Sequence, residues 1–242
     1  MNRNRLPFEL PLSAPEILRR RARILSELLA MDAAFSVIPV CGIHESTLRK
    51  MLDQYDNLFL QGYLARSYHE IKLTLSSRLI SAAGKFVYSR NPYGKLKCAE
   101  IRMSQDFLTR LKQGPFALNG LYASTPQEAF LMVFEHELCH AIEFSLYGHT
   151  GHSNRFLTLA NGLFGHTQTK HSLPTRRAEA AQNGLIVGML VSFTYQNKTL
   201  TGRVTYIGKT VTIMVPSPRG EYRDRQGKRF SKYHVPLSEV RY

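Results

Sequence analysis

The chain has 242 residues and a formal net charge of +14, from 32 Lys and Arg against 18 Asp and Glu. This length accommodates one sizeable domain and a small one. No apolar run reaches the roughly 18 residues of a membrane helix. The three cysteines form no C-x-x-C pair, which excludes a disulfide framework and a cysteine-bound structural zinc. We expect a cytoplasmic protein without a signal peptide, near the nucleoid in a bacterium, whose charge attracts nucleic acid and not a membrane.

Residues 1–50 are predicted to form a basic helical region. Ser13 and Glu16 can form a capping box, and apolar residues at helical spacing extend the helix to Met31. Four arginines lie on this helix, at positions 19, 20, 21 and 23. They offer one basic surface to a polyanion. A break at 39–42 separates this helix from a mostly helical stretch, Glu45 to Ser67.

Strand patterns follow in the next part of the chain. Alternating apolar residues predict strands, and Pro and Gly within 91–94 supply the turn of a hairpin. The predicted segments are, in order, a strand at 73–79, a hairpin of 86–88 and 97–103, a short helix from Ser104 and a loop at 114–125.

The most informative motif is His136-Glu137-Leu138-Cys139-His140, within an apolar run. Thr125 as N-cap and Gly148 as the C-terminal stop predict one helix around it. Positions i and i+4 share a helix face, so His136 and His140 can bind one metal ion. Glu137 lies beside them and can act as the general base on a zinc-bound water.

Three glutamates on this predicted helix support a metal site. Together with the two histidines, Glu135, Glu137 and Glu143 are costly to bury unless they have partners, and a metal would supply those partners. A catalytic zinc also needs a third protein ligand. The downstream candidates are His149, His152, His166 and His171. We favour His152, which directly precedes a predicted helix over 154–162, where the chain must have reversed; His149 is the alternative.

From about Met51 to Leu173 the chain resembles the SprT-like metalloprotease family, the SprT/Spartan family. The matching elements are, in order, Phe59-x-x-Gly62-x-Leu64, Arg78-Leu79 with Ala82-Ala83-Gly84-Lys85, Glu100-Ile101-Arg102-Met103-Ser104, His136-Glu137-Leu138-Cys139-His140-Ala141, Gly151-His152-x-x-x-Phe156 and Lys170-His171. This combination is more specific than the H-E-x-x-H motif alone. The cysteine-rich zinc ribbon of many members has no counterpart in this chain.

The resemblance implies an α+β fold, with a zincin-like helix-plus-antiparallel-sheet metalloprotease domain at 51–183. It implies Zn²⁺ as cofactor, bound by His136, His140 and the His152 of the Gly-His pair, with Glu137 as the catalytic residue. It also implies that the substrates are DNA-associated or DNA-crosslinked proteins.

Residues 185–242 are predicted to form a small all-β barrel that resembles Tudor-like or KOW-like barrels, because four or five short strands alternate there. The segment has ten Lys and Arg and three Asp and Glu, a net charge of 10 − 3 = +7. Cations interleaved with aromatic residues favour nucleic acid, since charges neutralise phosphates and rings stack on bases. The predicted nucleic-acid contacts are Arg223, Arg225, Lys228 and Arg229.

Two functions of different classes fit these features. One is a zinc-dependent protease that acts on DNA-associated or DNA-crosslinked proteins. The other is a nucleic-acid-binding protein whose metal site is structural or inactive. Glu137 favours the protease, because a structural site has no use for an acid beside its ligands.

Overall fold

The computed structural model describes residues 6–38, 40, 42–112, 114–169 and 175–242. Contacts group the chain into two compact units, Met1–Leu173 and Pro174–Tyr242. The domain borders expected after residues 50 and 183 stay predictions. Within the described ranges, no helix combines the length and the apolar character needed to span a bilayer.

The first unit begins with the predicted helical stretches, now seen as α1 (Ala14–Met31), α3 (Glu45–Leu60) and α4 (Tyr63–Ser67), and with a short helix that was not predicted, α2 (Ala33–Ser36). The Ser13 hydroxyl accepts a hydrogen bond from the Glu16 amide at 3.4 Å and caps α1, which is half of the expected capping box, while the Glu16 carboxylate pairs with Arg19 and Arg20. Gln61 and Gly62 both have positive φ and separate α3 from α4. In the predicted break at 39–42, Pro39 and Cys41 lie outside the described residues.

A three-stranded sheet with the order β1-β3-β2 follows, formed by β1 (Lys72–Ser76), β2 (Gly84–Arg90) and β3 (Leu96–Ser104). The Asn91 side chain accepts hydrogen bonds from the Tyr93 and Lys95 amides and closes the β2–β3 hairpin. β2 pairs antiparallel with β3, and β1 pairs with β3 in parallel. The sheet is mixed because β2 lies on the far side of β3 and returns through the hairpin.

The prediction that residues 114–125 form a loop is wrong. After α5 (Gln105–Arg110), this stretch contains a second hairpin, β4 (Phe116–Leu118) and β5 (Leu121–Ala123). Its turn residues Asn119 and Gly120 have φ of 53° and 82°. An Asn-Gly pair with left-handed φ is the preferred two-residue hairpin turn, because it matches the twist of the flanking strands.

The central element of this unit is α6 (Pro126–Tyr147), which is buried over most of its surface. Thr125 and Glu128 form its capping box, and Gly148 ends it at a φ of 75°. A reversing loop then leads to α7 (Asn154–Phe164), capped by the Ser153 hydroxyl. The bounds predicted for α6 are confirmed, and α7 extends two residues beyond its predicted end.

The second unit has a short helix, α8 (Arg176–Gln182), and a five-stranded antiparallel sheet. Its strands are β6 (Leu190–Tyr195), β7 (Lys198–Ile207), β8 (Thr210–Pro216), β9 (Tyr222–Arg223) and β10 (Arg229–Pro236), in the order β6-β7-β8-β10-β9. Apolar side chains from successive strands form a core of their own, including Phe193, Val204 and Ile213. An isolated bridge joins Ser192 of β6 to Arg241. A small β domain after the first unit is thus confirmed; its likeness to Tudor or KOW barrels stays a prediction.

Candidate metal centre

Three histidines converge beside α6. His136 and His140 are one helical turn apart, with ring centroids 4.9 Å from each other. His152, in the loop between α6 and α7, places its Nε2 atom 3.0 Å from His136 Nε2 and 3.2 Å from His140 Nε2. Each histidine offers one ring nitrogen, and these three atoms lie within 4.8 Å of one another. The structure therefore brings together the three residues expected to bind the metal.

The nitrogen donors fit a zinc ion. Zn–N bonds of about 2.0–2.1 Å at tetrahedral angles would hold the nitrogens about 3.3 Å apart, near the two measured separations. Burial, and secondarily the neighbouring His152, lowers the pKa of His140 to about 4. This imidazole is therefore neutral at pH 7 and can donate a lone pair.

An aromatic ring packs against the histidine cluster. The ring centroid of Phe156, which is fully buried, lies 4.4 Å from that of His140, 5.0 Å from that of His136 and 5.2 Å from that of His152. An apolar wall of this kind restricts the imidazole rings and lowers the local dielectric constant around their nitrogens.

Glu137 lines the same cavity as the three histidines, about 560 Å³ in volume. Burial raises the pKa of Glu137 to about 8, against the opposing effects of the Phe86 amide hydrogen bond and the charge of Lys85. A cation held by the histidines would favour the carboxylate and lower this pKa again. The protonation state of Glu137 would thus depend on whether the three histidines hold a cation.

Gly84 makes room for Glu137 at the start of β2. A Cβ atom built on Gly84 would lie 2.7 Å from Glu137 Cγ and 2.9 Å from its Oε1. Only glycine permits this approach of the strand to the carboxylate. Gly84 belongs to the Ala-Ala-Gly-Lys element noted in the sequence, so the glycine of that element is explained by the close approach of Glu137.

Of the other candidate histidines, His149 and His166 do not join the cluster. His149 directs Nδ1 to the Tyr147 carbonyl at 3.0 Å and Nε2 towards an Arg155 guanidinium nitrogen at 3.5 Å. His166 is fully buried against Glu135, and His171 lies outside the described residues. His149 is exposed and is not brought to the site.

The buried glutamates of α6 have separate partners. The expectation that a metal is the partner of Glu135, Glu137 and Glu143 alike is therefore wrong. Only Glu137 lines the metal cavity. Glu135 faces α1, where Arg21 donates to both of its carboxylate oxygens at 2.7 and 2.8 Å. Tyr55 donates to Glu135 Oε1 at 2.8 Å, and His166 Nε2 lies 2.9 Å from Oε2. Sequence reasoning missed this network because its members are distant in the chain.

The four arginines of α1 do not form a free basic surface. Arg19 and Arg20 pair with Glu16, and Arg23 pairs with Glu27. Arg21 is buried with Glu135. Three of these pairs have the i,i+3 or i,i+4 spacing that a helix brings together, so the sequence contained the signal. Each of the four arginines therefore has a carboxylate partner, and Arg19 and Arg20 share one.

The predicted nucleic-acid residues lie together at one edge of the second unit. Arg223, Arg225 and Lys228 are exposed, on β9 and in the turn that follows it. Arg229 is half-buried and donates to the Gly220 carbonyl at 3.1 Å, so it also holds the turn. Two lysines at this edge lie over aromatic rings. Lys232 Nζ lies 4.6 Å from the Tyr222 ring centroid, and Lys228 Nζ lies 5.7 Å from the Phe230 ring centroid.

Comparison with known protein families agrees with this geometry. The SprT-like family model matches residues 48–177, more than half of the chain, and the protein belongs to the SprT-like family. Such membership indicates a metalloprotease-like domain, and the three clustered histidines are close enough to bind a metal. No curated protein matches the chain significantly.

Proposed function

We propose that this protein is a zinc-dependent protease acting on DNA-associated or DNA-crosslinked proteins. The observation that carries the proposal is the shared cavity of Glu137 and three converging imidazoles, His136, His140 and His152. Three neutral histidines with one open position are a typical ligand set of catalytic zinc. A buried acid beside them, which is not needed as a ligand, favours catalysis over a structural role.

Each residue has a distinct part in the proposed hydrolysis. The three histidines would hold the ion, and zinc bound there would supply Lewis acidity and lower the pKa of a water. Glu137 takes a proton from the attacking water on its carboxylate and passes it to the leaving amine. The Phe86 amide, which hydrogen-bonds Glu137, holds the carboxylate in place.

Recruitment to DNA is proposed for the second unit. Its exposed Arg223, Arg225 and Lys228 can neutralise phosphates, and the Lys232–Tyr222 pair offers a ring for base stacking. Such contacts are sequence-tolerant, as required of a protease whose substrates are defined by their attachment to DNA. They also fit a cytoplasmic protein associated with the nucleoid.

The deciding experiment compares wild type with Glu137→Gln. Both are incubated with a DNA-bound protein substrate, with and without single-stranded DNA, and both are assayed for zinc. The variant should keep about one zinc per chain, because Glu137 is not a ligand, and lose about 10²–10⁴-fold in cleavage, because glutamine accepts no proton. The exposed Glu70→Gln serves as the matched control. Wild-type cleavage by Glu137→Gln would leave the nucleic-acid-binding alternative.

The ligand assignment has its own test. His152→Ala should lose most of the zinc, because two remaining imidazoles hold the ion weakly. His149→Ala should keep it, because its ring contacts Tyr147 and Arg155. Zinc content of the two purified variants decides the assignment, and the reverse pattern would exclude His152 as the third ligand.

A further inference from the structure

A hydrogen-bonded cluster behind the histidines is centred on Glu143, which is buried on α6. Its Oε2 atom accepts hydrogen bonds from the Thr150 hydroxyl at 2.8 Å and from the Gly151 amide at 3.0 Å. Its Oε1 atom accepts one from the Ser153 hydroxyl at 3.3 Å. One carboxylate therefore holds the loop that carries His152, on both sides of that histidine.

The same cluster reaches a second histidine through Thr150. His140 Nδ1 lies 2.8 Å from Thr150 Oγ1. The Thr150 hydroxyl has one proton, and it is donated to Glu143. The hydroxyl oxygen must then accept from His140 Nδ1–H. This places the proton of the neutral imidazole on Nδ1 and leaves the lone pair on Nε2, the atom that faces His152.

We propose that Glu143 and Thr150 are positioning residues for the metal centre: through their hydrogen bonds they fix the tautomer of His140 and the place of the His152 loop. The inference rests on the proposed zinc site and deepens it. Groups that hydrogen-bond to metal-bound histidines orient them and raise their basicity, and their loss lowers metal affinity by about 10–100-fold.

His152 gives this hydrogen-bonded cluster its importance. His136 and His140 are fixed by α6, whereas His152 is exposed and lies in the loop that follows Gly148. A loop of this kind must lose conformational freedom when its histidine binds an ion. By ordering Gly151 and Ser153 in advance, Glu143 lowers that entropic cost of binding.

The test compares Thr150→Val with Thr150→Ser in the full-length protein. Zinc is removed with a chelator, and its dissociation constant is then measured by competition with a chromophoric chelator. Valine keeps the shape and removes the hydroxyl, so affinity should fall about 10–100-fold. Serine keeps the hydroxyl, so Thr150→Ser should bind zinc with the affinity of wild type. Absorption spectra of the cobalt-substituted proteins report on ligand geometry and should change in Thr150→Val alone.

Thr158→Val is the matched control. Thr158 is exposed on α7, and its hydroxyl donates only within the helix, to the Asn154 carbonyl at 2.9 Å. The zinc affinity of Thr158→Val should therefore equal that of wild type. Glu143→Gln should weaken zinc binding as Thr150→Val does, because an amide has one oxygen for three donors.

Several outcomes would overturn the inference. Wild-type affinity and an unchanged cobalt spectrum in Thr150→Val would show that the hydroxyl contributes only to the fold. An equal loss in Thr150→Ser or Thr158→Val would show that the hydrogen bond is not the cause. If wild type itself binds no zinc, the proposed function fails and this inference with it; if wild type binds zinc and cleaves its substrate, only the positioning role is at stake.

Discussion

Glu135 and Glu137 are two residues apart on α6, are both almost fully buried, and have opposite electrostatic environments. Burial alone would raise the pKa of Glu135, but the charge of Arg21 and the hydrogen bond to His166 lower it to about 2. Burial raises the pKa of Glu137 to about 8, because only one backbone amide and a nearby lysine oppose it. The same residue type thus has a paired, ionised environment on one face of the helix and a largely unpaired, apolar one on the other, where proton transfer is proposed.

The largest expected effect comes from breaking the ion pair on the stabilising face. Arg21→Met removes the arginine and leaves the buried Glu135 carboxylate with Tyr55 and His166, which should lower the free energy of unfolding by about 3–5 kcal/mol. Denaturant unfolding of the metal-free protein measures it. Arg19→Met, at an exposed pair on the same helix, should cost less than about 1 kcal/mol. Equal losses in the two variants would contradict the special role of Arg21.

A second prediction concerns acid unfolding of the metal-free protein. Because the folded pKa of Glu135 is lowered, its contribution to stability is present above the unfolded pKa, about 4.3, and is lost as the pH falls towards about 2. Glu135→Gln should therefore be less stable than wild type at pH 7, and the difference should shrink across this window. Unfolding free energies measured at several pH values test it; a constant difference would refute the assignment.

For the face that carries Glu137, the dependence of stability on pH should have the opposite sign. The folded pKa of Glu137 is raised, so the metal-free protein loses stability as the pH rises from about 4.3 to about 8. Glu137→Gln without metal should be more stable than wild type at pH 7, by about 1–3 kcal/mol, a common trade between activity and stability. Thermal unfolding in the presence of chelator measures it. A destabilised variant would mean that the Glu137 carboxylate contributes to the fold.

The smallest effect on stability is expected for charges that are exposed. Replacing Arg223, Arg225, Lys228 and Arg229 together with Ser should cost less than about 1 kcal/mol, mostly through the Arg229–Gly220 hydrogen bond. DNA affinity should fall, and the slope of log affinity against log salt should decrease by about 0.9 for each phosphate of duplex DNA that the variant no longer neutralises. DNA titrations at several salt concentrations measure it. Unchanged affinity and slope would remove this edge as the DNA-binding surface.

The sequence predicted local features better than distant ones. The ends of α6 were predictable from Thr125, Glu128 and Gly148, because capping depends on neighbours in the chain. The three histidines were predictable because helical spacing and a reversing loop bring them together. The β4–β5 hairpin was missed, although Asn119-Gly120 is a strong turn signal.

Other features required the tertiary structure. Arg21 and Glu135 are 114 positions apart, so the partner of Glu135 could not be read from spacing. The partners of Glu143 lie only seven to ten positions away, yet a hydroxyl and an amide in a loop have no sequence pattern that marks them as carboxylate donors. The arginines of α1 looked like one free basic surface because the sequence shows neither the burial of Arg21 nor the carboxylate partners of the other three.

The Arg21–Glu135 pair has a consequence for evolution within the family. Arg21 lies outside the matched residues 48–177, whereas Glu135 lies inside them, next to the first histidine of the motif. Without Arg21, the buried Glu135 would keep Tyr55 and His166, both within the matched residues, as hydrogen-bond partners but would lose its arginine counter-charge. A relative that lacks a helix equivalent to α1 should therefore either bring another cation to Glu135 or have an uncharged residue directly before the first histidine of the motif.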